Sequence, residues 1–183
     1  LLDRDTGDLT VGLSKDGEAG FHSVTVTDYS SIGGGDTFSV IEGGDTLSLG
    51  VNYDANTNTY TAASDADTQV AGTDDDDNLT GGGGDDRLFG NRGDDIFDGG
   101  AGDDVFIGGA GDDTATFETL DVNLAVDLAD GTAVSSASGA DTLSSIENVL
   151  AGAGDDVLGG SAGDNLLDGG AGDDTLAGGA GDD

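Results

Sequence analysis

Aspartate recurs every nine residues from Asp77 to Asp113, always sixth in a glycine-rich nonapeptide. That pairs a hard oxygen ligand with a turn flexible enough to gather backbone carbonyls, the chemistry of a hard-cation site. Residues 72–116 divide without a slip into GTDDDDNLT, GGGGDDRLF, GNRGDDIFD, GGAGDDVFI and GGAGDDTAT. Asp77, Asp86, Asp95, Asp104 and Asp113 stand sixth; Leu79, Leu88, Phe97, Phe106 and Ala115 stand eighth. A second block, AGAGDDVLG, GSAGDNLLD, GGAGDDTLA and GGAGDD, places Asp156, Asn165, Asp174 and Asp183 sixth, with Leu158, Leu167 and Leu176 eighth. Between the blocks, SASGADTLS at 136–144 fits the same frame with Asp141 sixth and Leu143 eighth.

Calcium takes six to eight oxygen ligands in forgiving geometry, at roughly 2.3 to 2.6 Å, whereas magnesium demands a near-octahedral shell and gives up water reluctantly. The turn glycines Gly82, Gly84, Gly93, Gly100, Gly102, Gly109, Gly111, Gly152, Gly154, Gly163, Gly170 and Gly172 allow positive φ and close stacking, so their carbonyls can converge beside the sixth-position oxygens. Successive repeats alternate sides of a coil, so an ion belongs between the turns of repeats two apart. The expected pairs are Asp77 with Asp95, Asp86 with Asp104, Asp95 with Asp113, Asp156 with Asp174, and Asn165 with Asp183. Several calcium ions stacked along the coil are therefore the expected cofactors. Stacking also brings the 13 aspartates of residues 72–116 close together, and relieving that repulsion should tie binding to folding.

The elements that position these groups follow from the same period. Each repeat reads as a six-residue turn and a three-residue strand whose eighth residue points inward, two repeats to a coil. The expected fold is all-β: a parallel β-roll, that is, a right-handed β-solenoid, preceded by a small antiparallel β module. Residues 1–71 form that module, with alternating strands in LTVGL (9–13), SVTVTDY (23–29), TFSVI (37–41), TLSLGVNY (46–53) and TYTA (59–62). Residues 72–116 are the first roll block, 117–150 a degenerate repeat insert expected to continue the roll with longer loops, and 151–183 the second block. In the insert, VNLAVDL, ADG and TAV read as strand, tight turn and strand, and SSIENVL as a strand leading into the second block.

The charge of −35 excludes nucleic acid and anionic membranes as partners. Zero Cys and a single His22 argue against zinc and rule out disulfides. No apolar run is long enough to span a membrane. The sequence contains no Met and stops inside a repeat at Asp183, so it is expected to be a piece of a longer protein.

Through GGGGDDRLF, GGAGDDVFI and GGAGDDTLA the chain resembles the RTX (repeats-in-toxin) haemolysin-type calcium-binding family. DLADGTAVSSASGADTLSSIENVLAGAGDD resembles the variant insert found between such blocks. The resemblance implies a protein of a Gram-negative bacterium exported by type I secretion, disordered in the calcium-poor cell and folding outside it. It also implies a secreted or cell-surface location and leaves two roles open: part of a large adhesin or surface-layer protein with an unidentified surface or matrix partner, or a non-catalytic folding module of an extracellular enzyme or toxin. GTDDDDNLT lacks most turn glycines, Asn165 replaces an aspartate and Ala115 is a small core residue, so sites bounded by those repeats are expected to be weak or empty.

Other patterns have blander explanations. Acidic, glycine-rich chains are commonly disordered, but disorder does not hold Asp and Leu in register through tandem copies. Gly159–Gly163 matches the G-x-S-x-G nucleophile pattern at Ser161, yet Ser161 is a turn residue of a repeat, and His22 reads as a strand residue. Asp3 and Asp5 form a short acidic loop. Asp54, Asn56, Asn58 and Asp65 mimic EF-hand spacing, but Thr59 stands where the turn glycine belongs, which favours a hairpin. The outward positions carry no regular threonine row of the sort an ice-binding face would need. No catalytic constellation is found, so the chain is not expected to be an enzyme.

Overall fold

The computed structural model describes residues 57–62 and 67–183 in full and, earlier in the chain, the backbone of the strands at 2–3, 8–13, 22–26, 38–42, 45–49 and 51–54. Every regular element among the described residues is a strand, and no helix there is long and apolar enough to cross a membrane. β1 (Leu2–Asp3), β2 (Asp8–Leu13) and β3 (His22–Val26) form an antiparallel sheet, and β4 (Phe38–Glu42) with β5 (Asp45–Leu49) forms an antiparallel hairpin. β6 (Val51–Asp54) pairs antiparallel with β7 (Thr59–Ala62). TLSLGVNY, read above as one strand, is therefore two: β5 turns back on β4 and β6 joins β7.

β7 has a second partner: it runs parallel to β9 (Asn78–Gly83), with Tyr60 opposite Leu79. β8 (Gln69–Ala71) likewise runs parallel to β10 (Arg87–Arg92), with Val70 opposite Leu88. Parallel stacking thus begins at Thr59, ahead of the first full repeat. Tyr60 and Val70 supply the inward apolar residue that a coil needs even though their turns lack the glycine pattern.

From there the chain alternates between two sheets. One has the order β6-β7-β9-β11-β13-β17-β19, with β11 (Ile96–Ala101), β13 (Thr114–Thr116), β17 (Asn148–Leu150) and β19 (Leu166–Asp168). The other has the order β8-β10-β12-β16-β15-β14-β18-β20, with β12 (Val105–Ala110), β14 (Leu124–Asp127), β15 (Thr132–Ser135), β16 (Gly139–Ser144), β18 (Val157–Gly159) and β20 (Thr175–Ala177). The result is a parallel β-solenoid. The strands β9 to β12 are six residues long rather than three, because pairing continues into the turn glycines, as between Gly82 and Gly100.

The insert does not simply lengthen loops. β14, β15 and β16 form an antiparallel meander inside the second sheet. Its outer strands restore the parallel polarity, with Leu143 of β16 opposite Phe106 and Val126 of β14 opposite Leu158.

One continuous core fills the space between the sheets, made largely of eighth-position residues: Leu79, Leu88, Phe97, Phe106, Ala115, Leu143, Val149 and Leu158 are all buried. Phe106 stacks on Phe97 at 5.7 Å and on Phe117 at 6.3 Å between ring centroids. Phe117 is itself buried, so bulk is supplied close to the small Ala115.

Candidate metal centre

The residue just before each inward strand lies at the mouth of a turn, and those turns stack into two rows, one for each sheet. Row one runs Asp77, Asp95, Asp113, Glu147, Asn165, Asp183. Row two runs Asp86, Asp104, Asp141, is interrupted by β15, and resumes with Asp156 and Asp174. The five expected pairs are neighbours in these rows, each joined by the same bond: the backbone N–H of the first residue donates to Oδ1 of the second. The distances are 2.8 Å for Asp77–Asp95, 2.8 Å for Asp86–Asp104, 3.0 Å for Asp95–Asp113, 2.9 Å for Asp156–Asp174 and 3.0 Å for Asn165–Asp183. The insert extends the pattern. Asp104 N–H donates to Asp141 Oδ1 at 3.0 Å, Asp113 N–H to Glu147 Oε2 at 2.9 Å, and Leu124 N–H to Asp156 Oδ1 at 2.8 Å.

Asp77, Asp86, Asp95, Asp104, Asp113 and Asp156 are no more than 1 % exposed and Asp141 and Asn165 are buried too, whereas Glu147 and Asp174 are half-buried and Asp183 is exposed. Their second oxygens separate into two kinds. Oδ2 of Asp86, Asp95, Asp104, Asp113, Asp141 and Asp156 is buried with no hydrogen-bond partner, which is costly for a charged oxygen without a counter-ion. Asp77 Oδ2 instead accepts from Thr73 N–H at 2.5 Å and from Thr73 Oγ1 at 3.0 Å. Burial pushes the Asp95, Asp104 and Asp113 carboxyls up to about 6 and that of Asp141 to about 7; it raises Asp77 and Asp86 as well. Each carboxylate is therefore short of solvation, a deficit that a proton or a cation can make good.

The glycines divide by task. At the second and fourth positions many are left-handed: Gly82 (φ 100°), Gly84 (91°), Gly93 (105°), Gly100 (87°), Gly102 (138°), Gly109 (116°), Gly111 (152°), Gly170 (74°) and Gly172 (144°). There the turn of one repeat passes directly over carbonyls of the repeat two before, as Gly102 does over Gly84 O. Gly152 and Gly154 are not left-handed but make equally close approaches, to Leu120 O and Val122 O. Gly163 has neither feature; the nearest atom to a Cβ there is Ser161 Oγ, at 3.8 Å.

First-position glycines serve another purpose. A Cβ on Gly81 would fall 2.5 Å from Asp86 Oδ2 and 2.6 Å from Gly99 O, the carbonyl of the next turn in the row. Gly90 stands in the same relation to Asp95 Oδ2 and Gly108 O, and Gly108 to Asp113 Oδ2 and Ser145 O. Each is a small oxygen-lined cradle that a side chain would fill. Among the described residues no three or more His, Cys, Asp or Glu side chains gather closely enough to hold a metal by themselves. A cation shell here must therefore mix one or two carboxylate oxygens with backbone carbonyls. That donor set, all oxygen and irregular, fits calcium.

Two further features lay outside the sequence reading. The fifth-position aspartates form ladders of opposite sense: Asp94 N–H donates to Asp76 Oδ1 at 2.9 Å, Asp103 to Asp85 at 2.9 Å, Asp112 to Asp94 at 2.9 Å and Asp173 to Asp155 at 3.0 Å. The doubled aspartate of GDD in most repeats was the available clue. Glu147 was also missed. Carrying the second block's frame back nine residues gives TLSSIENVL, with Glu147 sixth and Val149 eighth.

The other candidates lie elsewhere. His22 is in β3, its backbone paired with Leu13, and Asp3 is in β1, paired with Asp8. Asp54 and Thr59 are paired across the β6–β7 hairpin; Asp5, Asn56 and Asp65 fall outside the described residues.

Residues 63–97, 71–106, 80–115 and 150–183 each match the RTX calcium-binding nonapeptide repeat. No curated protein matches the chain.

Proposed function

Since the repeats of this chain belong to the RTX calcium-binding nonapeptide family, we propose that the chain is the calcium-folded β-roll of a secreted or cell-surface bacterial protein, of adhesin or surface-layer type, with no catalytic role of its own. The carrying observation is the set of six buried aspartate Oδ2 atoms without partners, in register along the two rows. Bound calcium would supply positive charge and a coordination demand of six to eight oxygens. The chain's part is to arrange acceptors. In Asp86, Asp95, Asp104, Asp113, Asp141 and Asp156, Oδ1 fixes the carboxylate by accepting a backbone N–H from the neighbouring turn, and Oδ2 is left without a protein donor. In the first block the first-position glycine keeps the cradle open, and the second- and fourth-position glycines let the turns stack.

Binding and folding are then one event, because the ligands come from turns 18 residues apart that meet only in the coil. Such a chain stays open where calcium is scarce and folds where it is abundant, which suits export before folding. Far-UV circular dichroism with millimolar calcium against EDTA is the test: β signal should appear on adding calcium. Equal β content in both conditions contradicts the proposal.

A further inference from the structure

Resting on that reading, the geometry points to two stations, at Asp77 and Asn165, that are closed by the chain's own donors and do not take calcium. Thr73 and Ser161 are the residues that exclude it.

In the repeats of Asp86, Asp104 and Asp113 the second position is a glycine with φ between 87° and 116°, and in the repeat of Asp95 it is Asn91 at 80°. At none of these does the row aspartate's Oδ2 have a protein donor. The second positions of the Asp77 and Asn165 repeats are the hydroxyl residues Thr73 and Ser161, neither in the left-handed region. There the turn brings its own N–H onto the sixth-position side chain. Ser161 N–H donates to Asn165 Oδ1 at 2.6 Å and Ser161 Oγ to the same oxygen at 3.2 Å, repeating the two contacts that Thr73 makes with Asp77 Oδ2.

A second observation is that a side-chain amide donates at each station. Asn165 Nδ2 donates to Glu147 O at 2.8 Å, the only step in row one where a sixth-position side chain donates up the row instead of accepting. Asn58 Nδ2 donates to Asp76 O at 2.7 Å and to Asp77 Oδ1. An amide's hydrogens cannot face a cation, and a carboxylate already holding two donors has less need of one. These clasps bracket the calcium-dependent part of row one, which comprises Asp95, Asp113 and Glu147.

Calcium stoichiometry by equilibrium dialysis provides the test, using the whole chain and four variants. Ser161→Gly with Asn165→Asp should bind one ion more per chain than the unaltered protein, as should Asn58→Asp with Thr73→Gly. Asp104→Asn should bind fewer, whereas Asn165→Asp alone, with Ser161 still in place, should gain nothing. Unchanged stoichiometry in both double variants, with circular dichroism showing that they fold in calcium, overturns the inference. If the double variants do not fold, amide hydrogen exchange in the calcium-loaded unaltered chain decides: slowed exchange at Ser161 and Thr73 supports the clasps, and exchange as fast as in an open turn overturns them. An unaltered chain that binds no calcium at all defeats the underlying function and this inference with it.

Discussion

The first roll block and the insert are built from the same sheets yet held together differently. Residues 72–116 bury five aspartates, at 77, 86, 95, 104 and 113, against five inward apolar residues. Residues 117–150 bury Asp141 alone among acids, against Phe117, Leu124, Val126, Ala133, Leu143, Ile146 and Val149. The first block therefore carries about one buried charge for each hydrophobic contact it gains, while the insert is close to an ordinary apolar core closed by an antiparallel meander. On the proposed reading, regularity in the sequence marks the part of the molecule that depends most on an ion, and the insert, with Asp141 as its one buried acid, depends on one less.

Acid should break this contrast most visibly. The folded pKa values of Asp95, Asp104, Asp113 and Asp141 lie above the ordinary aspartate value of 3.8. Their protonated forms are therefore favoured by folding. In EDTA, the stability this contributes is complete below pH 3.8 and is lost as pH rises through about 6 for the first three and about 7 for Asp141. Metal-free chain should gain β structure on acidification to pH 4, chiefly in the first block. A circular dichroism signal that stays flat between pH 7 and pH 4 would sink the idea.

Packing gives the next effect. Phe106→Ala, which removes a fully buried ring stacked on both Phe97 and Phe117, should cost about 3 to 5 kcal/mol in calcium-loaded thermal unfolding. A loss under about 1 kcal/mol would mean that the eighth positions do not form the core.

Glycine substitutions sharpen the same comparison at smaller scale. Gly102→Ala forces a side chain into φ 138° and against Gly84 O, at a cost of about 1 to 3 kcal/mol. Gly163→Ala meets only Ser161 Oγ at 3.8 Å and should fall within about 0.5 kcal/mol of neutral. Equal costs at the two positions would contradict the division of glycine roles.

Smallest of all, Arg92→Ala removes an exposed ion pair to Asp74 at 3.1 Å and should cost no more than about 1 kcal/mol in the same unfolding measurement.

The sequence made the row aspartates of the two blocks, their pairing two repeats apart and the eighth-position core as far as Leu158 legible, because a nine-residue period within each block fixes all three; Leu167 is only partly buried and Leu176 is exposed. It also showed the β14–β15 hairpin through alternation and an ADG turn. It did not show where that hairpin goes: whether a meander enters the sheet or loops outside depends on whether Leu143 finds Phe106 and Val126 finds Leu158, contacts that no local pattern encodes. Glu147 escaped because TLSSIENVL has no glycine and overlaps the frame that places Asp141 sixth. The start of the roll at Thr59 escaped for a related reason, since Tyr60 and Val70 act as inward residues without the turn that announces them. The clasps were foreshadowed only as weak sites; that Thr73 and Ser161 would donate to the sixth-position side chain is a consequence of turn conformation.

The most direct test of the central claim is backbone hydrogen exchange, residue by residue, at pH 7 with saturating calcium and then with EDTA. The account predicts that protection of Phe97 and Phe106 amides in the first block collapses on removing calcium while Val126 and Val149 in and beside the meander retain more of theirs. Undiminished protection across residues 78–116 in EDTA would contradict it.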